Sequence, residues 1–282
     1  NHLVRALRCS AVNPVLQLFR IGNAVMGTVG LLIGVLIAAG TETLDHWQPV
    51  LLAAVAVFAF IGAGNSLNDY IDREVDKRAH PERPLPSGRI TPRQALSLSA
   101  VCFGLSFLVS LALPLEATAI VALAIVLMLS YEARLKKGAL IGNVEIAVLT
   151  GMLFLLGGAV VGMMERTYAI ALLAFLAILG REIVKDIEDM EADFDRQTLP
   201  KRIGARNAGV IASFAFLAAV VLSPLPYIEG TFGIWYLAIV AFADAMFIYC
   251  SIIHFQNPTK GQKVAKYAML LALVAFLVGG ML

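Results

Sequence analysis

The sequence predicts an all-α, polytopic membrane protein with nine transmembrane helices in a bundle. Of its 282 residues, 59% are hydrophobic and 15% are charged. A water-soluble domain of this length cannot hide so much apolar surface, so lipid must solvate most of it. Apolar runs of roughly 20 residues, enough for a helix to cross a bilayer, recur along the whole chain. Membrane β-barrels show shorter segments of alternating polarity.

The nine helices are placed on these runs in chain order, since each run is long, continuous and poor in charge. The dipeptide Asn13-Pro14 interrupts the start of the first run. That end is therefore expected either to enter the bilayer or to lie along its interface. The predicted helices cover residues 14–39, 47–70, 93–113, 116–134, 139–163, 167–188, 206–223, 231–252 and 264–282.

The cations are confined to alternate loops between these helices. Apart from Arg166, every Lys and Arg lies near the N-terminus or around the loops that follow the second, fourth, sixth and eighth helices. With alternating crossings these loops share one face of the membrane, which the positive-inside rule makes cytoplasmic. The N-terminus is then expected inside and the C-terminus outside. With one helix fewer, the cation-rich loops would no longer all lie on one face. The charge asymmetry therefore supports the count of nine helices.

Cysteine and histidine usage argues against several kinds of site. Cys9, Cys102 and Cys250 form no CxxC pair, and the four histidines are dispersed, so neither a disulfide framework nor a zinc site is indicated. No cleavable signal peptide is predicted. The net charge of +2 gives no reason to expect a nucleic-acid partner, and no obligate protein partner is evident.

Two acidic stretches, at the ends of the second and sixth helices, repeat each other. Their aspartates recur at a constant offset along the chain, which indicates two parallel repeat halves, about 14–134 and 139–252, followed by helix 264–282. We call them the first and second stripe. The first stripe consists of Asn65, Asn68, Asp69, Asp72 and Asp76. The second stripe consists of Glu182, Lys185, Asp186, Asp189 and Asp193.

The spacing places each set of carboxylates on one helix face. At about 100° per residue, positions 65, 69, 72 and 76 fall within roughly 60° of one another, and the matching positions of the second stripe do the same. Like charges at this spacing repel, so the stripes oppose helix formation unless a cation lies among them. Two such stripes facing each other would suit Mg²⁺, which prefers carboxylate and phosphate oxygens. The alternative is that both stripes are solvated cytoplasmic helix ends.

Carboxylates, an apolar interior and basic loops together indicate a site for a lipid-like diphosphate. Metal ions would bridge the aspartates to the phosphate oxygens and neutralise the departing pyrophosphate. Lys and Arg side chains would add hydrogen-bond donors. An allylic C–O bond can then ionise in a membrane cavity that keeps the carbocation from water.

The two motifs resemble those of the UbiA superfamily of intramembrane prenyltransferases. NDYIDREVD (68–76) fits N-D-x-x-D-x-x-x-D, and KDIEDMEAD (185–193) fits D-x-x-D-x-x-x-D. The resemblance covers nearly the whole chain as a single domain. It implies a nine-helix bundle with a cytoplasmic cap, formed by loops 77–92 and 194–205, over a central cavity that holds Mg²⁺ and a prenyl diphosphate. The implied metal ligands are Asp69, Asp72, Asp76, Asp186, Asp189 and Asp193. The implied diphosphate ligands are Asn68, Arg83, Tyr131, Lys185, Lys201 and Arg202, and the implied catalytic residues are Asn68, Asp72, Lys185 and Asp189.

The acceptor is predicted from the segment Ser130–Gly151 and the proline-containing cap. They resemble the branch of the family that transfers a geranylgeranyl group from geranylgeranyl diphosphate to the sn-2 hydroxyl of geranylgeranylglyceryl phosphate, an archaeal ether-lipid precursor. An acceptor phosphate calls for additional donors, and the candidates are Arg20, Asn23, Arg134, Lys136 and Lys137. Ordinary snorkelling or positive-inside cations are the alternative for the basic members of this set.

Three other functions fit parts of the pattern. In the first alternative, a prenyltransferase acts on an aromatic or quinone precursor such as 4-hydroxybenzoate instead of the lipid phosphate. A transporter also places acids within repeated halves, but usually near the midplane on helices broken by Gly or Pro. A CDP-alcohol phosphotransferase is also Asp-rich, but neither stretch begins with the Asp-Gly pair of that class. Glu145 and Asp244 are intramembrane acids whose roles stay open.

Overall fold

The computed structural model describes residues 13–133, 140–190 and 197–281, and these residues contain helices, turns and no strand. Thirteen α-helices follow one another in this part of the chain. They are α1 (Pro14–Leu18), α2 (Ile21–Ala39), α3 (Trp47–Ile71), α4 (Arg73–Ala79), α5 (Pro92–Ser110), α6 (Leu115–Ala133), α7 (Ile141–Val160), α8 (Tyr168–Glu188), α9 (Leu199–Ile203), α10 (Ala205–Leu222), α11 (Leu225–Ile228), α12 (Ile234–Ile253) and α13 (Pro258–Met281). Two short 3₁₀ helices cover Gly40–His46 and Met164–Thr167.

Eight helical segments of the described chain are long and apolar enough to cross a membrane. The first of them, Ile21–Ile71, has 51 residues and contains both α2 and α3. The prediction of an all-α, multi-pass membrane protein is therefore confirmed. The count of nine crossings stays a prediction.

Two predicted helix boundaries were wrong. The run 14–39 is not one helix, because the chain breaks between α1 and α2, where Arg20 adopts a left-handed conformation with φ of 47°. The last helix begins at Pro258 rather than at residue 264. Asn257 accepts a hydrogen bond from the backbone N–H of Lys260 at 2.8 Å, and proline is favoured at the first helical position. Hydropathy missed this start because the first turn is polar.

The chain divides into two compact units. The first contains the described residues up to Leu32 together with Gln48–Glu132. In its core, α3 packs through Ala59 and Ala63 on Cys102 and Phe103 of α5. The buried hydroxyl of Ser99 also donates to the carbonyl of Ala63 at 2.9 Å, which joins α5 to α3.

The loop that leads to α5 is folded against the first unit rather than extended from it. Leu85 and Ile90 are buried against Leu18 of α1. A tight turn fixes the segment, since the N–H of Gly88, with φ of 74°, donates to Leu85 and the N–H of Ile90 donates to Pro84. This folding gives the loop, and Arg83 within it, a fixed position.

The second unit contains Ile33–Trp47 and the described residues from Ala133 onward, with α8 packed against α7, α10 and α13. One apolar core of this unit surrounds Tyr236, whose hydroxyl donates to the carbonyl of Ser223 at 2.6 Å. Gly157 of α7 lies so close to the backbone of Gly34 that an added Cβ would come within 2.6 Å of it. Small residues at such crossings allow membrane helices to approach closely.

Candidate active site

The first stripe remains on one nearly continuous helical path, although α3 ends at Ile71 and α4 begins at Arg73. The N–H of Asp72 donates to the carbonyl of Asn68 at 2.9 Å, and the N–H of Asp76 donates to that of Asp72 at 2.8 Å. These i to i−4 bonds carry the helical spacing through the break. Asp69 and Asp76 are buried, whereas Asp72 is half-buried.

Two arginines from outside this helical path neutralise the buried aspartates. Arg20 Nη2 lies 2.6 Å from Asp69 Oδ1, and Arg83 Nη1 lies 2.6 Å from Asp76 Oδ2. Arg83 Nη1 also lies 3.8 Å from Asp69 Oδ1. The cations that the spacing of the stripe demanded are therefore guanidinium groups, one from the α1–α2 break and one from the loop before α5.

Asn68 of the first stripe has a partner that sequence reasoning missed. Its side-chain amide donates to Glu132 Oε1 at 2.9 Å, and Glu132 is buried near the end of α6. Tyr131, the neighbouring predicted diphosphate ligand, is half-buried. The available signal was an acid at the end of the predicted helix 116–134, to which sequence reasoning gave no role.

An apolar cavity of about 450 Å³ lies in the same unit, and one of its lining residues shares a face of α3 with the first stripe. Phe58 lines it and lies eleven residues before Asp69, which is close to three full turns of helix, so both project from one side of α3. The cavity is also lined by Phe19, Thr28, Ala54, Val55, Ala59, Cys102 and Leu105. Such a lining accommodates hydrocarbon and offers little to water.

The second stripe lies at the end of α8. Asp186 Oδ2 accepts a hydrogen bond from the side-chain amide of Asn143 on α7 at 2.8 Å. Glu182 is buried and pairs with its neighbour Arg181 at 2.7 Å. Asp189 is half-buried and caps α8, with its N–H donating to the carbonyl of Lys185. Sequence reasoning gave Asn143 no role.

The remaining predicted ligands are more exposed or lie outside the described residues. Lys185 and Arg202 are exposed, and Lys201 is half-buried on α9. Asn23 is exposed on α2, and Arg20 contacts Asp69 as described above. Asp193, Arg134, Lys136 and Lys137, and residues 194–196 of the second cap loop, lie outside the described residues.

The donors of the first stripe suit Mg²⁺ in kind, because they are carboxylate oxygens and the preferred ligands of this ion are oxygens. Within the described residues, no three Asp, Glu, His or Cys side chains converge closely enough to hold a metal ion. Arg83 instead contacts both Asp69 and Asp76. The contribution of each stripe to a metal site stays a prediction.

The two intramembrane acids have different surroundings. Asp244 Oδ2 accepts a hydrogen bond from the hydroxyl of Ser223 at 2.7 Å. The carbonyl of the same serine accepts from Tyr236, so Asp244 belongs to a network that joins α12 to the end of α10. Glu145 is buried on α7, two residues after Asn143. Neither acid belongs to a stripe.

Comparison with known proteins places this architecture in a family. The model of the UbiA prenyltransferase family matches residues 28–277. A digeranylgeranylglyceryl phosphate synthase from Methanosarcina mazei is 40% identical, over 96% of this chain and 99% of the relative.

Solved structures share the fold. A structure from a study of digeranylgeranylglyceryl phosphate synthase in membranes is 35% identical and matches with a TM-score of 0.85, covering 95% of this chain and 98% of that one. A UbiA homologue from Archaeoglobus fulgidus, bound to DMAPP and Mg²⁺, is 16% identical with a TM-score of 0.70, covering 94% and 99% of the two chains, and supports the fold alone. The chain therefore belongs to the UbiA prenyltransferase family.

Proposed function

We propose that this protein is a Mg²⁺-dependent intramembrane prenyltransferase that moves a geranylgeranyl group from geranylgeranyl diphosphate to the sn-2 hydroxyl of geranylgeranylglyceryl phosphate. The observation that carries the proposal is the 40% identity to a digeranylgeranylglyceryl phosphate synthase over nearly the full length of both chains. The buried, arginine-paired aspartates at the end of an apolar helix supply a site of suitable chemistry.

In this proposal the aspartates of both stripes serve one diphosphate site on the cytoplasmic side. Asp69, Asp72 and Asp76 would hold Mg²⁺ together with Asp186, Asp189 and Asp193. When bound, Mg²⁺ supplies the charge that neutralises the departing pyrophosphate. The proposal is supported by the repeat of the motif and by the oxygen donors of each stripe.

The basic residues would bind the diphosphate directly. Arg83 is suited to this role because its guanidinium has five donors, and the contacts with Asp69 and Asp76 use only one nitrogen. Lys185, Lys201 and Arg202 carry further charge at the ends of α8 and α9. As the allylic C–O bond breaks, these donors would stabilise the charge that develops on the leaving oxygen.

The reaction also requires an apolar environment for the prenyl group, and the apolar cavity would contribute to it. Its lining on the Asp69 side of α3 offers room for part of the prenyl chain. The acceptor hydroxyl would attack the allylic carbon, form the ether bond and release its proton. An alcohol that attacks a carbocation needs little deprotonation beforehand, so no strong base is required.

The acceptor phosphate would be bound by Arg20 and Asn23, with Arg134, Lys136 and Lys137 as further donors. Arg20 has a side chain that is 34% exposed although its nitrogen Nη2 binds Asp69. Its other N–H groups can therefore meet a phosphate while the ion pair persists.

The proposal is tested by offering purified protein radiolabelled geranylgeranyl diphosphate with either geranylgeranylglyceryl phosphate or 4-hydroxybenzoate. We expect Mg²⁺-dependent product and pyrophosphate only with the lipid phosphate. Product with 4-hydroxybenzoate alone would assign an aromatic acceptor instead. Substrate movement across the membrane without any pyrophosphate release would indicate a transporter.

A further inference from the structure

The break between α1 and α2 is held at three points by one face of α3. An added Cβ on Gly62 would come within 2.8 Å of the ring of Phe19, so the ring packs directly on this glycine. The side-chain amide of Asn65 donates to the carbonyl of Phe19 at 2.9 Å. Asp69 binds Arg20 at 2.6 Å. Gly62, Asn65 and Asp69 are spaced i, i+3 and i+7, which places them in one row on a helix.

The backbone at this break is held in a conformation that its sequence does not favour. Arg20 has φ of 47°, in the left-handed region where a residue with a Cβ is strained and glycine is the usual choice. Such strain persists only where the surrounding structure over-determines the backbone, and it is often found at functional sites. The three contacts with α3 hold the ring and carbonyl of Phe19 and the guanidinium of Arg20 at this break.

Two of the three contacts hold Phe19, and the third holds Arg20. Gly62 and Asn65 hold the ring and the carbonyl of Phe19, and neither of these two contacts involves the side chain of Arg20. With Phe19 held in this way, the guanidinium of Arg20 lies against Asp69, whose side chain is only 3% exposed. A flexible arginine on a continuous helix would instead lose rotamer freedom when it binds a ligand.

We propose that Asn65 and Gly62 are positioning residues for the acceptor phosphate, which they serve by fixing the backbone that aims Arg20. This inference rests on the proposed function, because it takes Arg20 as a phosphate ligand. Asn65 belongs to the first stripe by spacing, yet it carries no charge and is not part of the predicted metal or diphosphate set. Its hydrogen bond to the carbonyl of Phe19 indicates a different role, which is to hold the backbone beside Arg20.

The test measures equilibrium binding of geranylgeranylglyceryl phosphate to purified protein in EDTA, without prenyl diphosphate. Wild type should bind this ligand at least tenfold more tightly than geranylgeranylglycerol, which lacks the phosphate. Asn65→Ala should weaken binding of the phosphate ligand about tenfold and leave binding of geranylgeranylglycerol within twofold. In an Arg20→Ala background, Asn65→Ala should have no further effect, because the arginine that it positions is absent.

Two further variants separate positioning from general packing. Gly62→Ala improves helix propensity but forces Phe19 to move, so it should also weaken phosphate binding. Ser99→Ala is the matched control, since it removes another hydrogen bond to a backbone carbonyl between helices of the same unit. It should lower the melting temperature and leave phosphate binding within twofold.

The outcomes distinguish the two proposals. Equal affinity of wild type for the two ligands would overturn the phosphate acceptor itself. If wild type prefers the phosphate ligand, but Asn65→Ala and Gly62→Ala bind it as wild type does, the positioning role is wrong. It is equally wrong if Asn65→Ala weakens binding to the same extent with and without Arg20. If Asn65→Ala does not fold, Gly62→Ala alone and in the Arg20→Ala background decides between these outcomes.

Discussion

The first and second stripes share a sequence pattern, but the structure gives their carboxylates different partners. Asp69 and Asp76 of the first stripe bind arginines that come from distant parts of the chain, at 2.6 Å each. Asp186 of the second stripe accepts a hydrogen bond from the neutral amide of Asn143 on the preceding long helix. The two stripes therefore share the spacing of their acids, but different groups contact those acids.

The arginine partners of the first stripe come from two segments that are expected to contact the two substrates. Arg83 lies in the predicted cap loop, and Arg20 lies at the break before α2. A substrate phosphate that approaches either arginine must share it with a buried carboxylate. We therefore expect the first stripe to respond more strongly than the second to loss of its partners.

The largest expected effect comes from the half-buried aspartate at the centre of each stripe. Asp72→Ala and Asp189→Ala should each reduce prenyl transfer by about a hundredfold to a thousandfold, because charge on the leaving group would lose its compensation. Product formation from radiolabelled geranylgeranyl diphosphate measures this effect. Unchanged elution and melting temperature provide the control for folding. A fully active single variant would show that the substituted aspartate is not part of the site. The two stripes would then not both be required for catalysis.

Loss of Arg83 should produce the largest change in stability. Arg83→Ala leaves Asp76 buried without its cation, and breaking a buried ion pair in this way costs about 3 kcal/mol or more. Reversible unfolding in mixed micelles measures the loss. The double variant Arg83→Ala/Asp76→Asn should recover much of it, since the uncompensated charge is gone. A single variant as stable as wild type would contradict the role of the ion pair.

The second stripe should tolerate loss of its partner better. Asn143→Ala removes a neutral donor from Asp186 and should cost about 1.5–3 kcal/mol, the usual range for one hydrogen bond to a charged group. Asn68→Ala is the matched change in the first unit, because it removes an amide donor from Glu132 at a similar distance. The same unfolding measurement compares them. A cost for Asn143→Ala above that of Arg83→Ala would reverse the comparison.

The smallest effect is expected at the exposed ion pair beside the first stripe. The hydrogen bond and charge of Lys77 lower the pKa of Glu74 below its ordinary value of 4.5. Because the folded pKa is depressed, any stabilisation is present above the unfolded pKa and is lost as the pH falls through the folded pKa. Lys77→Ala should therefore change the melting temperature very little at pH 7 and not at all below the folded pKa. A large change at pH 7 would show that this pair is not merely a surface contact.

The helices and the chemistry of the stripes could be predicted from the sequence because both depend on local patterns. Apolar length determines where a helix can cross a membrane, and spacing alone places Asp69, Asp72 and Asp76 on one face. The same patterns did not predict the break at Phe19 and Arg20. Neither residue is a helix breaker, and the left-handed backbone depends on contacts with α3, more than 40 residues away in the sequence.

The partners of the stripes could not be predicted for the same physical reason. Glu132 and Asn143 lie in segments whose composition is typical of a helix end, and only packing brings them to Asn68 and Asp186. Arg83 was predicted to bind a diphosphate. Its contact with Asp76 depends on the packing of the loop against α1, which the local sequence does not indicate.

The proposed function requires that both stripes serve one Mg²⁺-dependent diphosphate site. It is tested most directly by titrating the protein with an unreactive thiolo analogue of geranylgeranyl diphosphate in Mg²⁺ and in EDTA. We predict one analogue bound per chain in Mg²⁺, with binding lost in EDTA, in Asp72→Ala and in Asp189→Ala. Full Mg²⁺-dependent binding by either variant, or two independent sites per chain, would contradict the claim.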